Sequence, residues 1–176
     1  MINGVDWSYY GDLIHRSEDT VRSYGIEVPE FISYDVSRRT SAWGDWRLKS
    51  DGCNYIRVAK NLLESENDKA IMETIIHEIL HACYPYDGHT KGWKKAASRI
   101  SRDGVYNISR LSNAADKGLT DDQMKWMFKV TCKNCGKLWY YQKPKNIREI
   151  VKGKCRCPFC NKHKFIVINK FGEEVK

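Results

Sequence analysis

"HEILHACYPYDGH", residues 77–89, holds three of the five histidines of this 176-residue chain. Apolar residues recur at helical spacing from about Asp68 to Cys83, which places the first two histidines on a helix. At about 100° per residue, His81 lies roughly 40° and Glu78 about 100° around from His77, on one stripe. Ile71, Ile75, Ile76, Ile79 and Leu80 fill a broad apolar face beside it. Imidazoles four residues apart on one stripe can share an ion, and the intervening glutamate can reach a water on that ion. A zinc centre open to a substrate needs a third protein ligand. Residues 79–148 contain no glutamate, and the next histidine is His89. Pro85 and Gly88 break the helix and let the chain turn back, with Asp87 as the competing donor. His89 is therefore the expected third ligand. It sits just before a second helix, in which Trp93, Ala96, Ala97 and Ile100 form an apolar stripe that can anchor it.

Before this stretch, Trp7, Tyr10, Ile14, Val21 and Tyr24 recur at helical spacing, with Gly25 as a cap and Pro29 beyond it. "EFISYDV", "SAWGDWRLK" and "NYIRVAKNLL" read as strands. After it, "LSNAADKGLTDDQ" is small and polar and reads as a linker. "FKVTC", "KLWYYQK" and "KFIVINK" are short strand-like runs around cysteine pairs. Composition is that of a globular chain, 41% apolar and 30% charged. No apolar run approaches a membrane span, and the N-terminus lacks the basic start and apolar stretch of a secretory signal. An intracellular location is the expectation, cytoplasmic or nucleoid-associated, or nuclear in a eukaryote.

The seven cysteines are odd in number, and four of them form the C-x-x-C pairs Cys132/Cys135 and Cys157/Cys160. This spacing fits a zinc ribbon with four thiolate ligands, a closed and therefore structural site. Cys155 and His163 are spare donors nearby, but only Cys157 gives the two-residue knuckle with Cys160. Cys83 falls on the apolar face of its helix and reads as core, and His15 as surface. Charge divides at the same place. Residues 1–124 carry 16 basic against 19 acidic side chains, and residues 125–176 carry 14 against 3. The basic part interleaves cations with aromatics, which suits a nucleic-acid surface with phosphate contacts and base stacking. Lys137, Trp139, Tyr141, Lys143, Lys145, Arg148, Lys162 and Lys164 are the candidate contacts, with DNA the expected partner.

"IRVAKNLLES", "IMETIIHEILHA", "GHTKGWKKAASRI" and "YNISR", in this order over roughly residues 30–110, resemble the SprT-like metalloproteases, whose eukaryotic members include Spartan. Several members also carry a C-terminal zinc ribbon. One departure is that many members read H-G-x-x-aromatic at the third histidine, where this chain has His89-Thr90-Lys91-Gly92-Trp93. The resemblance implies a zinc-dependent endopeptidase, in some members directed at proteins crosslinked to DNA.

The expected architecture is α+β. Residues 1–118 would form a zincin-like domain, a small antiparallel sheet packed with helices around the H-E-x-x-H helix. Residues 119–176 would form a small basic β zinc ribbon, with a linker at about 112–124. Two zinc ions are expected, one catalytic on His77, His81 and His89 and one structural on Cys132, Cys135, Cys157 and Cys160. Glu78 would be the general base and acid. Tyr84, Tyr86 and Tyr106 are alternatives for stabilising the oxyanion. A protein or peptide substrate would lie along an edge strand near "NYIRVAKNLL". The runner-up function is a non-catalytic DNA-binding adapter on a zinc-stabilised scaffold.

Overall fold

A computed structural model describes residues 5–39, 42–84, 88–110, 112, 115–120 and 126–176. Helix α1 (Trp7–Ser23) starts where the Asp6 carboxylate accepts from the Ser8 backbone N–H at 2.9 Å, the usual way an N-cap satisfies an orphan donor. Its buried residues Tyr10, Leu13, Ile14, Ser17 and Val21 lie against α3 (Asp68–Cys83). α3 is capped by Asn67, which accepts from Ala70 N–H at 3.1 Å. Ile71, Ile75, Ile76, Ile79 and Leu80 of α3 are fully buried. His15 is exposed on α1, and Cys83 packs half-buried against the core, where burial pushes its thiol up to about 12.

Strands β1 (Ile32–Ser37), β2 (Gly44–Leu48) and β3 (Asn54–Ala59) form one sheet in the order β1-β3-β2. The sheet is mixed, not antiparallel as expected: β2 runs antiparallel to β3, but β1 runs parallel to it. Apolar content accounts for the strand order. Ile56, Val58 and Ala59 are fully buried, so β3 takes the doubly paired centre, and the less apolar β1 and β2 flank it. This also corrects the reading of "NYIRVAKNLL". Its first half is the central strand, so it offers no edge to a substrate. Its second half turns into the short helix α2 (Lys60–Leu63). Helix α4 (Lys91–Ile100) follows, with Trp93, Ala96, Ala97 and Ile100 buried.

The chain divides into two compact units, Met1–Ser112 and Asn113–Lys176. Residues 113–118, assigned above to the first domain, thus go with the second unit. Within that stretch Asp116 accepts from Lys137 Nζ at 2.6 Å, which ties the 3₁₀ turn Ala115–Lys117 to the ribbon. The second unit holds β4 (Phe128–Cys132), β5 (Leu138–Tyr141) and β6 (Phe165–Asn169), an antiparallel sheet in the order β5-β4-β6. Helix α5 (Pro144–Val151) is an element the strand pattern did not suggest. Pro144 opens it at a first-turn position, where a missing N–H costs nothing. Its Ile147 and Ile150 join Val130 and Val167 in the buried apolar cluster of this unit. So small a core needs a staple. Among the described residues no helix is long and apolar enough to cross a membrane.

Candidate metal centres

The stripe on α3 turns His77 and His81 toward one point, and the turn before α4 brings His89 to the same point. Gly88 makes that turn with φ +52°, a left-handed conformation that glycine adopts without strain. His89 Nε2 lies 3.0 Å from His77 Nε2 and 3.1 Å from His81 Nε2. Nitrogens bound tetrahedrally to one zinc ion stand about 3.3 Å apart, so this spacing fits such an ion.

Protonation states agree with the geometry. His77 Nδ1 lies 3.0 Å from the Ser109 carbonyl oxygen, so Nδ1 carries the proton and Nε2 keeps its lone pair. Burial, with His89 alongside, pushes His81 down to about 4, and burial with Arg110 and Lys94 nearby lowers His89. Three neutral imidazoles with converging lone pairs are a cation site.

Trp93 backs the cluster. Its ring is 4.7, 5.6 and 4.6 Å from those of His77, His81 and His89, and it is 2% exposed. Trp46 of β2 covers His81 from the other side, stacked at 6.1 Å, with its indole N–H donating to Asn54 Oδ1 at 2.9 Å. His81 thus contacts two indoles, and Trp93 backs all three imidazoles.

Glu78 is 7% exposed beside the cluster. What makes room for it is Gly44. A Cβ on Gly44 would come within 2.8 Å of Glu78 Cγ and Oε1 and 2.9 Å of Thr74 Cγ2. Gly44→Ala should therefore push the carboxylate aside while leaving the imidazoles in place. A misplacement of about 1 Å can cost roughly a hundredfold in rate. The expected result is a fall in peptide hydrolysis of tenfold or more with zinc content retained. A variant as active as the parent would show that the carboxylate position is not critical.

The Ser109 carbonyl is itself held in place. Asn107 N–H donates to Glu73 Oε1 at 2.9 Å, and Ile108 N–H donates to Ser101 Oγ at 2.9 Å. Glu73 is buried one helical turn before His77. Removing it by Glu73→Ala strands the Asn107 donor and loosens the carbonyl that fixes the His77 tautomer. Lost outer partners of metal-binding histidines weaken affinity about 10–100-fold. A chelator competition should show that loss for Glu73→Ala and its rescue by Glu73→Gln. Equal affinities would reduce Glu73 to a loop anchor.

Of the tyrosines, Tyr84 and Tyr106 pack against the core, and the Tyr106 hydroxyl donates to the Met72 sulfur at 3.8 Å. Tyr86, like Pro85 and Asp87, lies outside the described residues. Gly44, Trp46, Glu73 and Ser109 were not singled out from sequence. The first two act by proximity across the sheet and Ser109 by its backbone, so residue type carried no signal.

In the second unit, Cys132 Sγ lies 3.6 Å from Cys160 Sγ, and Cys135 Sγ lies 3.6 Å from Cys157 Sγ. Sulfurs bound tetrahedrally to one zinc ion stand about 3.7 Å apart. The two knuckles are built alike. Gly136 N–H returns to Cys132 O at 2.9 Å and Asn161 N–H to Cys157 O at 2.8 Å, each donor residue having positive φ. Two of the thiols are pulled in opposite directions. A Lys162 backbone N–H chiefly lowers Cys160, to about 7. A Lys137 backbone N–H also lowers Cys135, but desolvation and its sulfur neighbours push it up to about 12. A bound cation resolves this conflict. Cys155 packs against the unit's core and His163 is exposed, and neither joins the cluster.

The candidate nucleic-acid residues fall into two groups. Lys143, Lys145, Arg148, Lys162 and Lys164 are exposed. Lys137 is committed to Asp116 and lies over the Phe159 ring at 5.2 Å. Trp139 and Tyr141 are half-buried and, with Phe165, Cys155 and Lys145, line a cavity of about 470 Å³.

No curated protein matches the chain. The family model described as SprT-like matches residues 12–116, which include all three histidines, Glu78, Gly44 and Ser109.

Proposed function

The chain belongs to the SprT-like family, and from that premise we propose that it is a zinc-dependent endopeptidase acting on proteins associated with or crosslinked to DNA. The observation that carries this reading is the meeting of three imidazole nitrogens beside a buried glutamate. A purely structural zinc site is closed by a fourth protein ligand, whereas among the described residues this cluster offers three. In this reading the first unit is a zincin-like domain. His77, His81 and His89 would hold the zinc, which when bound supplies a Lewis acid for water and the scissile carbonyl.

The chain's own groups do the rest. Glu78 Oε1 takes the proton of the attacking water and delivers it to the departing amine, so the carboxylate ends the cycle unchanged. Burial under Gly44 holds it in the geometry that this transfer needs. Trp93 and Trp46 keep the imidazoles desolvated, where electrostatic effects on the reacting atoms are stronger. A substrate has a natural track. β2 is an edge strand, and its Gly44 and Trp46 stand against Glu78 and His81. An extended peptide adding to the free edge of β2 would pass the site with its backbone hydrogen-bonded.

The ribbon's role is recruitment of DNA, supported by its basic excess, the exposure of the candidate cations Lys143, Lys145, Arg148, Lys162 and Lys164, and its aromatic cavity. Hydrolysis of an unfolded protein by the full chain tests the reading. Cleavage should stop on zinc chelation, return with added zinc, and rise several-fold with DNA. A zinc-loaded chain that cuts nothing with DNA present would leave the adapter reading in its place. Cleavage indifferent to DNA would leave a peptidase whose ribbon serves another partner.

A further inference from the structure

Several cations of the first unit stand beside an acid. Arg16 pairs with Asp12 and Asp68, Arg22 with Glu18 and Asp19, Arg39 and Arg57 with Asp45, and Lys60 with Glu64. Helix α4 departs from that pattern. Lys91, Lys94, Lys95 and Arg99, with Arg102 just past its end, are all exposed, and none forms an ion pair among the described residues. The one acid in this stretch, Asp103, accepts from the Tyr24 hydroxyl and is occupied.

At about 100° per residue the four helical cations fall within an arc of roughly 140°, opposite the buried Trp93, Ala96, Ala97 and Ile100. From Lys91 to Arg99 the stripe runs for about 12 Å, the axial length of roughly three to four phosphates of one strand. Such a density of unneutralised charge, in a part of the chain with a net acidic balance, calls for an anionic partner.

We propose that the outer face of α4 binds the phosphodiester backbone of a nucleic acid, as a contact separate from the ribbon. A repeating row of phosphates matches a row of cations at helical spacing. An anionic membrane fits less well, since every large apolar residue of α4 is buried and none remains to insert. Trp93, on the inner side of the same helix, touches all three histidines. A nucleic acid on the outer face therefore lies one helix diameter from the metal centre, about 10 Å. The inference does not depend on catalysis or on the ribbon's affinity.

The experiment uses the full chain and fluorescent single-stranded and duplex 20-mers, titrated across salt concentration. Each phosphate contact contributes about 0.9 to the slope of log affinity against log salt. The variant Lys91→Gln/Lys95→Gln/Arg99→Gln should flatten that slope by about 2–3 while its thermal midpoint and DNA-free peptide hydrolysis stay at parental values. Ser98→Lys, which adds a cation to the same exposed face, should steepen it by up to about 1. Unchanged slopes in both variants overturn the proposal. So does an unchanged DNA slope in the triple variant together with lost binding to phosphatidylserine vesicles, which would assign the stripe to a membrane.

Discussion

Glu78→Gln should lower kcat for peptide hydrolysis by about 10²–10⁴-fold and leave zinc bound to the three histidines. The substitution is close to isosteric, so the carboxamide fits the space under Gly44 that the carboxylate occupies. What it removes is basicity. An amide cannot accept the proton of the attacking water, and the leaving amine then finds no acid to protonate it. KM should change little, because Glu78 lies on α3 and not on β2, the strand proposed to hold the substrate backbone. Kinetics on a quenched peptide, run beside a zinc determination, separate the possibilities. Loss of rate with metal retained assigns the proton transfer to Glu78. Retention of rate within about threefold would remove the protease reading, because Glu78 is the buried carboxylate seated against Gly44 next to the histidines.

Cys157→Ser should take the second metal away and unfold the ribbon, while the first unit stays folded. The reason lies in the size of the ribbon core. Val130, Ile147, Ile150 and Val167 form its buried apolar cluster, too few to offset the conformational entropy of about fifty residues. Structural zinc contributes on the order of 10–16 kcal/mol of apparent binding free energy in such small domains, and here that energy is folding energy. Serine oxygen is a poor replacement for thiolate, and Cys157 is 1% exposed, so no solvent ligand can readily substitute. Zinc should fall from about two ions per chain to about one, and limited proteolysis should begin within residues 126–176. His89→Ala should lose the other ion and leave the ribbon resistant. Retention of both ions in either variant would break the ligand assignment at that site.

The two centres differed in how far they could be read in advance. The C-x-x-C pairs and the H-E-x-x-H turn are local devices. Ligands three residues apart on a knuckle, or four apart on a helix, converge because of backbone geometry alone, which the order of residues encodes directly. The helix α5 was equally local but went unread. Its Pro144 start and the Ile147, Ile150 spacing were in view, masked by the strand-like run ending at Lys143.

The amino-acid order by itself determined which side chains can bind metal, where the charge changes sign, and which helix face is buried, since these follow from residue type and short-range spacing. Only the tertiary structure decided that "NYIRVA" is central and β2 is the free edge, that Gly44 makes room for Glu78, and that Ser109, anchored through Asn107 by Glu73, fixes the tautomer of His77. The contacts of Gly44 with Glu78, of Ser109 with His77 and of Asn107 with Glu73 join segments 30 or more residues apart. They depend on which strand wins the centre of the sheet and on where a backbone carbonyl comes to rest, and neither outcome is written in the identity of the residue concerned.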